Sequence, residues 1–256
     1  MAFKNRTDDR PMTASHFPEY CPLGVDGVLV RFARVLNDEA NVKALAFRDA
    51  VRSAGLKGVI EVATSLTSVR VAFDPDVTDR VTVTAALREV VPQIDVAAAK
   101  PRGRHWTIPV SFAPEHAPQL TEAAALAGLT ADQAIDQITA AELRVIAIGF
   151  APGQAYMGML PAQWELPRQD SLTESLPRGA LITAVRQLII WAADAPTGWR
   201  HIGQTAFEVY RPDAAKPFAF APGDTVTFEI ASGDEIDALR AEGDPDGGAR
   251  CRDGSS

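Results

Sequence analysis

The sequence predicts an α+β chain in two lobes: a β-α-β-β-α-β unit, then a region that turns mostly β. Three observations carry this reading. Helical and strand periods alternate up to about residue 98, a basic and turn-rich stretch interrupts them at residues 100–104, and from residue 143 short apolar runs recur between Pro/Gly turns. With 256 residues, 46% of them hydrophobic and 23% charged, the chain has globular composition and length enough for two modest cores or one large one.

Residues 1–20 are polar, lack periodicity and read as a disordered lead-in. Residues 27–32 form a short apolar strand. Residues 39–54 place Val42, Leu45, Ala46 and Ala50 on one helical face and stop at Gly55. Strands follow at 59–63 and 68–73; in the second, Val69, Val71 and Phe73 alternate with Ser68, Arg70 and Ala72, the period of a sheet with one buried face. Asp74-Pro75-Asp76 ends it. Residues 78–91 read as a helix closed by Pro92, and 94–98 as a returning strand, which completes a split-βαβ, ferredoxin-like order in a domain spanning 21–100.

Lys100-Pro101-Arg102-Gly103-Arg104 reads as a solvated joint between domains rather than an anion patch. Beyond it come a strand at 106–112 and helices at 118–127 and 130–141, with Thr130 and Gln133 at capping-box spacing. Apolar runs at 143–150, 180–191, 205–210 and 225–230 are separated by turns such as Pro152-Gly153, Pro196-Thr197-Gly198 and Pro222-Gly223. Their short spacing predicts a barrel or sandwich over 105–232. Residues 233–256 form an acidic tail holding one short helix, 235–242, and otherwise untethered. No internal repeat is present.

Several classes of function are excluded or disfavoured. A net charge of −8, with only Lys4, Lys43, Lys57, Lys100 and Lys216 scattered along the chain, leaves no footprint for nucleic acid or an anionic membrane. Cys21 and Cys251 make neither a disulfide framework nor a metal-ligand spacing, and no apolar run approaches a membrane span, so the expectation is a soluble cytoplasmic protein. No phosphate loop, no Met-Lys-Met biotinylation context, no Ser/Gly-rich amidase signature and no Cys/His or His/carboxylate cluster occurs. The expectation is that the chain itself holds no cofactor and no metal.

The most informative stretch is Gly149-Phe150-Ala151-Pro152-Gly153-Gln154-Ala155-Tyr156-Met157-Gly158-Met159-Leu160-Pro161. Pro152 presets φ for the first corner of a tight turn and Gly153 supplies the positive φ of the second. Such a loop can expose backbone N–H groups to a carboxylate or a developing oxyanion; it can equally be an ordinary turn between barrel strands. The stretch resembles the G-F-x-P-G-x-x-Y-x-G-x-L-P signature of subunit 1 of the bacterial allophanate hydrolase/5-oxoprolinase group, the KipI/PxpB family. The resemblance runs over roughly residues 22–240. It includes Gly58-Val59-Ile60-Glu61-Val62, Ser68-Val69, Phe73-Asp74-Pro75, Ile108-Pro109-Val110, Gly128-Leu129-Thr130, Pro167-Arg168, Gly198-Trp199, Ile202-Gly203 and Pro222-Gly223-Asp224.

The resemblance implies a ferredoxin-like lobe followed by a cyclophilin-like β-barrel, with the Pro152-Gly153 corner at the barrel mouth facing a pocket that a partner completes. It also implies a larger subunit 2 (PxpC/KipA-like), the pair resembling the carboxyltransferase part of urea carboxylase, and a third, LamB/YcsF-type subunit, with ATP handled by those other subunits. The reaction class is cleavage or carboxylation of a small amide or lactam. The alternative within the same family is a regulatory protein that binds a histidine kinase. By this carry-over Arg168, Gln187 and Tyr156 are the candidate catalytic residues, and Phe150, Pro152, Gly153, Arg186 and Trp199 the candidate substrate-binding ones. Arg200 is a further possible anion partner and His201 a possible proton carrier. The chain departs from the family pattern in Val185-Arg186 before Gln187 where glycines are usual, in Thr197 and in Gln204, which replaces an Arg. Gln169 stands where a basic residue is usual, and Ile138 where a His is. Lost glycines admit side chains where backbone approached a ligand, and a lost Arg removes a bidentate anion clamp, so these positions leave a shifted substrate or weakened catalysis open.

Overall fold

The computed structural model describes residues 17–94 and 103–253. The first lobe comprises β1 (Glu19–Leu23), β2 (Gly27–Arg31), α1 (Asp38–Ala54), β3 (Val59–Ser65), β4 (Ser68–Phe73) and α2 (Arg80–Val90). Asn37 caps α1 by accepting from the Ala40 N–H, Asp38 and Glu39 follow in the first turn, and Gly55 ends the helix in the left-handed region. Asp79 caps α2 through the Val81 and Thr82 N–H groups. The sheet is antiparallel in the order β1-β2-β4-β3. Val28, Val30, Val69, Val71 and Phe73 pack against Phe47 and Val51 of α1 and Val83, Leu87 and Val90 of α2.

Two differences from the sequence reading stand out here. The strand β1 begins inside the expected lead-in and covers the edge of β2 that a strand at 94–98 would otherwise be expected to take. Its segment lacks alternation and contains Pro22, which an edge strand tolerates and a pattern search rejects. Of the expected returning strand, Ile94 follows a 3₁₀ turn, Val91–Gln93; the remainder, like Lys100-Pro101-Arg102 of the expected joint, lies outside the described residues. Arg104 is no free linker residue, since its guanidinium reaches the buried Asp224 carboxylate at 2.7 Å.

The second lobe contains β5 (His105–Val110), α3 (Leu120–Leu126), α4 (Ala131–Ala140), β6 (Leu143–Ile148), β7 (Ala155–Gly158), β8 (Thr173–Leu176), β9 (Ala180–Ala184) and β10 (Gln187–Ile190). These are followed by β11 (Ala195–Thr197), β12 (Arg200–Gln204), β13 (Thr225–Ile230), α5 (Gly233–Glu242) and β14 (Arg250–Arg252). Thr130 and Gln133 form the expected capping box, and Ser232 with Glu235 forms a second one. One sheet runs β12-β9-β10-β7-β6-β13-β5-β14, and β11-β8 make a separate ribbon.

The closed barrel expected from the sequence is not formed. Beside β5, β13 holds one edge and β14 the other, so no edge is left for β12 to pair along. Among the described residues, β12 meets β5 through a single bridge, Ser111 with Gln204, which exchange hydrogen bonds of 2.8 and 3.0 Å just past the end of β5. The tail is therefore tethered, because Arg250–Arg252 is a strand rather than a loose end. Two further segments differ. Residues 180–191 are a hairpin, not one strand, with Val185 and Arg186 both in the left-handed region as a two-residue hairpin turn requires (φ 44° and 63°). Residues 205–209 make no ladder; only Tyr210 bridges to Phe218.

Among the described residues, one buried polar contact joins the lobes. The Asn41 carboxamide, fully buried on α1, donates to the Ile146 carbonyl of β6 at 2.9 Å and to the Leu66 carbonyl. Its oxygen accepts from the Arg144 guanidinium, which also pairs with Asp38. Replacing Arg144 by Met strands the Asn41 oxygen without a partner and is expected to destabilise the protein by about 2–3 kcal/mol. Replacing the largely exposed Asp38 by Ala leaves Arg144 paired with Asn41 and is expected to cost less, about 1 kcal/mol; urea unfolding of the two variants measures the difference. Gly153→Ala is a third test: φ is 72° there and a Cβ would stand 2.4 Å from the Val209 carbonyl oxygen. A loss of at least about 2 kcal/mol is expected in the same measurement, from left-handed strain plus overpacking.

Candidate functional site

The turn after β6 has the geometry its residues dictate. Gln154 N–H donates to the Ala151 carbonyl at 3.1 Å across Pro152 and Gly153, and Gly149 N–H donates to the Gln154 carbonyl at 3.1 Å outside it. Gly153 is buried against the backbone of Val209, and neither it nor Pro152 lines the neighbouring cleft. The corner instead aims the residues beside it. Phe150, 80% exposed and at φ 73°, stacks on Trp191 with ring centroids 5.8 Å apart, while Gln154 is drawn inside.

These residues open a cleft of about 350 Å³. Tyr156 from β7, half-buried, meets Trp199 edge to face at 6.0 Å, and the guanidinium of Arg168 lies over the Trp199 indole at 5.7 Å. Ile189 and Leu172 complete the apolar wall. Arg168 comes from the irregular strap between residues 165 and 172 and is exposed; it is the charged side chain of the lining, among the described residues. Gln169 beside it is tied down: its backbone N–H donates to the Gly198 carbonyl at 2.7 Å and its side-chain N–H to the Trp199 carbonyl at 3.0 Å. The cleft thus combines aromatic walls, one cation at the rim, a phenol and the buried amide of Gln154. Such a lining suits a small, flat, anionic molecule carrying an amide.

Of the candidates drawn from the sequence, Phe150, Tyr156, Arg168 and Trp199 come together here. Gln187 and Arg186 do not. They sit at the hairpin end of β10, whereas the cleft is reached from Ile189 and Trp191 at its other end. Gln187 is buried opposite Gly158, and its carbonyl accepts from the Thr183 hydroxyl. Arg186 spends its guanidinium on the Leu160 carbonyl at 2.8 Å. Arg200 is buried beneath the strap, on the Glu122 carboxylate and the Pro167 carbonyl. His201 is buried with Nε2 unpartnered; burial holds its pKa below the usual imidazole value against a hydrogen bond with the Gly203 backbone, and nearby His116 depresses it further. A neutral, enclosed imidazole outside the cleft lining is not placed to relay protons there.

Gln154, Gln169 and Trp191 were missed as lining residues. Gln154 fell on a position the signature leaves open, Gln169 was noted only as a departure, and Trp191 reads from sequence as the end of a core strand. Among the described residues no group of three or more His, Cys, Asp or Glu is placed to hold a metal ion, and no helix is long and apolar enough to cross a membrane.

Comparison with known proteins agrees with the motif resemblance. A 5-oxoprolinase subunit of Bacillus subtilis (strain 168) is 27% identical over 234 residues, covering 86% of this chain and 95% of that protein. The 5-oxoprolinase subunit of the same name from Escherichia coli O157:H7 is 32% identical over 131 residues, 51% of this chain and 60% of that one. The structure of Kluyveromyces lactis urea carboxylase superposes with a TM-score of 0.71 at 13% identity, over 91% of this chain and 24% of that much longer one, a likeness of fold alone. The family profile described as carboxyltransferase domain, subdomain C and D, matches residues 18–220, and with that span covered the chain belongs to this carboxyltransferase family, among relatives named as 5-oxoprolinase subunits.

Proposed function

We propose that this chain is the subunit of a 5-oxoprolinase-type complex that binds and orients a small lactam or amide bearing a carboxylate, within a site completed by a larger partner subunit. The observation that carries the reading is the pairing of Arg168 with the aromatic cleft. A guanidinium held over Trp199 meets a carboxylate with charge-assisted hydrogen bonds, while the indole and phenol faces pack a flat ring beneath it. Tyr156 and Gln154 are polar groups of the lining suited to hydrogen-bonding the carbonyl oxygen as it gains charge when the ring is attacked. The cleft is open to one side and its rim carries the apolar surfaces of Phe150 and Leu172, 80% and 66% exposed, which a partner would cover. ATP chemistry belongs to the other subunits on this reading, the third of LamB/YcsF type, and the chain works in the cytoplasm. As for fold family, the β2-β4-β3 order fits a ferredoxin-like unit with β1 in the place of its last strand. The second lobe fits an open relative of the cyclophilin-like sheet.

The test is reconstitution with the neighbouring-subunit proteins and an ATP-dependent 5-oxoproline assay, with turnover expected only from the mixture. Arg168→Ala is expected to raise KM for 5-oxoproline about tenfold to a hundredfold, as for loss of a charge-assisted carboxylate contact. Tyr156→Phe keeps the ring contact with Trp199 and is expected to lower kcat about tenfold or more with stability unchanged. A reconstituted complex that consumes neither 5-oxoproline nor a urea derivative removes the assignment.

A further inference from the structure

The strap that carries Arg168 has no ladder of its own between Pro161 and β8, yet its cation must stay over one indole ring. Two polar groups behind it, Arg200 buried and Gln119 half-buried, supply the restraint. The Arg200 guanidinium, with a side chain only 8% exposed, donates to the Pro167 carbonyl at 2.7 Å, immediately before Arg168, and to the Glu122 carboxylate of α3 at 2.9 Å. Gln119, at the start of α3, donates to the Gln169 side-chain oxygen at 2.6 Å, immediately after Arg168. Gln119 is itself fixed to β12: its side-chain oxygen accepts from the His201 N–H at 2.8 Å, and its own N–H donates to the His201 carbonyl at 3.0 Å.

A buried guanidinium is retained at a desolvation cost that its carboxylate partner only partly offsets, so its placement on a strap carbonyl rather than in the cleft calls for a reason. We propose that Arg200 and Gln119 are positioning residues: they grip the strap on either side of Arg168, from α3 and β12, and so present the Arg168 cation to a carboxylate ligand without touching the ligand. The inference deepens the function proposed above and, where it concerns substrate, rests on it.

A residue that acts through Arg168 has nothing left to act through once Arg168 is gone. In the reconstituted complex, Arg200→Met is expected to raise KM for 5-oxoproline about tenfold with kcat changed less than about twofold, and Arg200→Lys to recover part of the loss. In the Arg168→Ala background Arg200→Met is expected to add nothing further, whereas a merely structural role predicts that the two effects add. A second readout needs no turnover. Trypsin cleavage of the Arg168–Gln169 bond in the full chain, relative to cleavage after Arg34 in the other lobe, is expected to quicken about tenfold in Arg200→Met and less in Gln119→Met. An unchanged cleavage ratio, or additive KM effects, overturns the proposal. A wild-type complex inert toward 5-oxoproline overturns the function reading, and the cleavage ratio alone then decides the role of Arg200.

Discussion

Gly153 and Gly179 both bring the face of a left-handed residue within a Cβ's breadth of another backbone. A side-chain carbon on Gly153 would lie 2.4 Å from the Val209 carbonyl oxygen and one on Gly179 would lie 2.3 Å from that of Thr205. The second lobe depends on this close approach. Segment 205–209 has no strand ladder to hold it, so it is fixed by packing two turns directly on its backbone and by Gln204, whose side-chain N–H donates to the carbonyls of Arg178 and Thr205. With the Pro152-Gly153 corner seated on Val209, Phe150 is thrown outward and Gln154 inward. The cleft is therefore a consequence of where the corner rests, not of groups the corner itself displays.

The same logic of one buried restraint placing an exposed group recurs between the lobes. Asn41 and Arg144 satisfy each other where α1 meets β6, the strand that leads directly into the corner. Burying an amide and a guanidinium is unfavourable unless every strong donor and acceptor finds a partner. The contact is thus less a source of net stability than a condition on geometry: the lobes pack in the arrangement that pairs these groups.

Much of the fold was legible because local signals were strong. The alternation in Ser68–Phe73, the stop at Gly55, the capping box at Thr130 and the run Thr225–Ile230 each gave the element its period or end. What escaped was decided by distant partners. Strand β1 exists because β2 offers it an edge, and the open sheet exists because the last residues of the described chain pair with β5; neither fact is written in the local pattern of Cys21-Pro22-Leu23 or Arg250-Cys251-Arg252. The hairpin at Val185-Arg186 was invisible since neither residue favours the left-handed conformation both adopt. In the site, the aromatic and cationic residues of the family signature were legible, whereas Gln187 and Arg186 were assigned to it by motif order. Neighbours in sequence order are not neighbours in a hairpin: the strand β10 carries them to the end away from Trp191.

That separation also changes the meaning of the departures from the family pattern. Two side chains where glycines are usual suggest, from sequence, a ligand path filled in. In the structure Val185 and Arg186 keep the backbone that glycines would adopt, at a conformational cost of about 1–2 kcal/mol per residue. Arg186 meets part of it by donating from its side chain to the Leu160 carbonyl and from its N–H to that of Trp164. Gln204, in the place of an arginine, is 1% exposed and braces the Gly179 turn. Neither position reaches the cleft, whose charge, ring faces and amide come from residues 150–156, 168–172 and 189–199. The glycines altered at Val185-Arg186 and the lost arginine therefore bear on how the second lobe is held together, and the departures that do touch the cleft are Thr197 and Gln169. A neutral amide at Gln169, bonded on both sides, leaves Arg168 as the cation the lining offers and makes its placement the variable on which the proposed recognition of an anionic ligand turns.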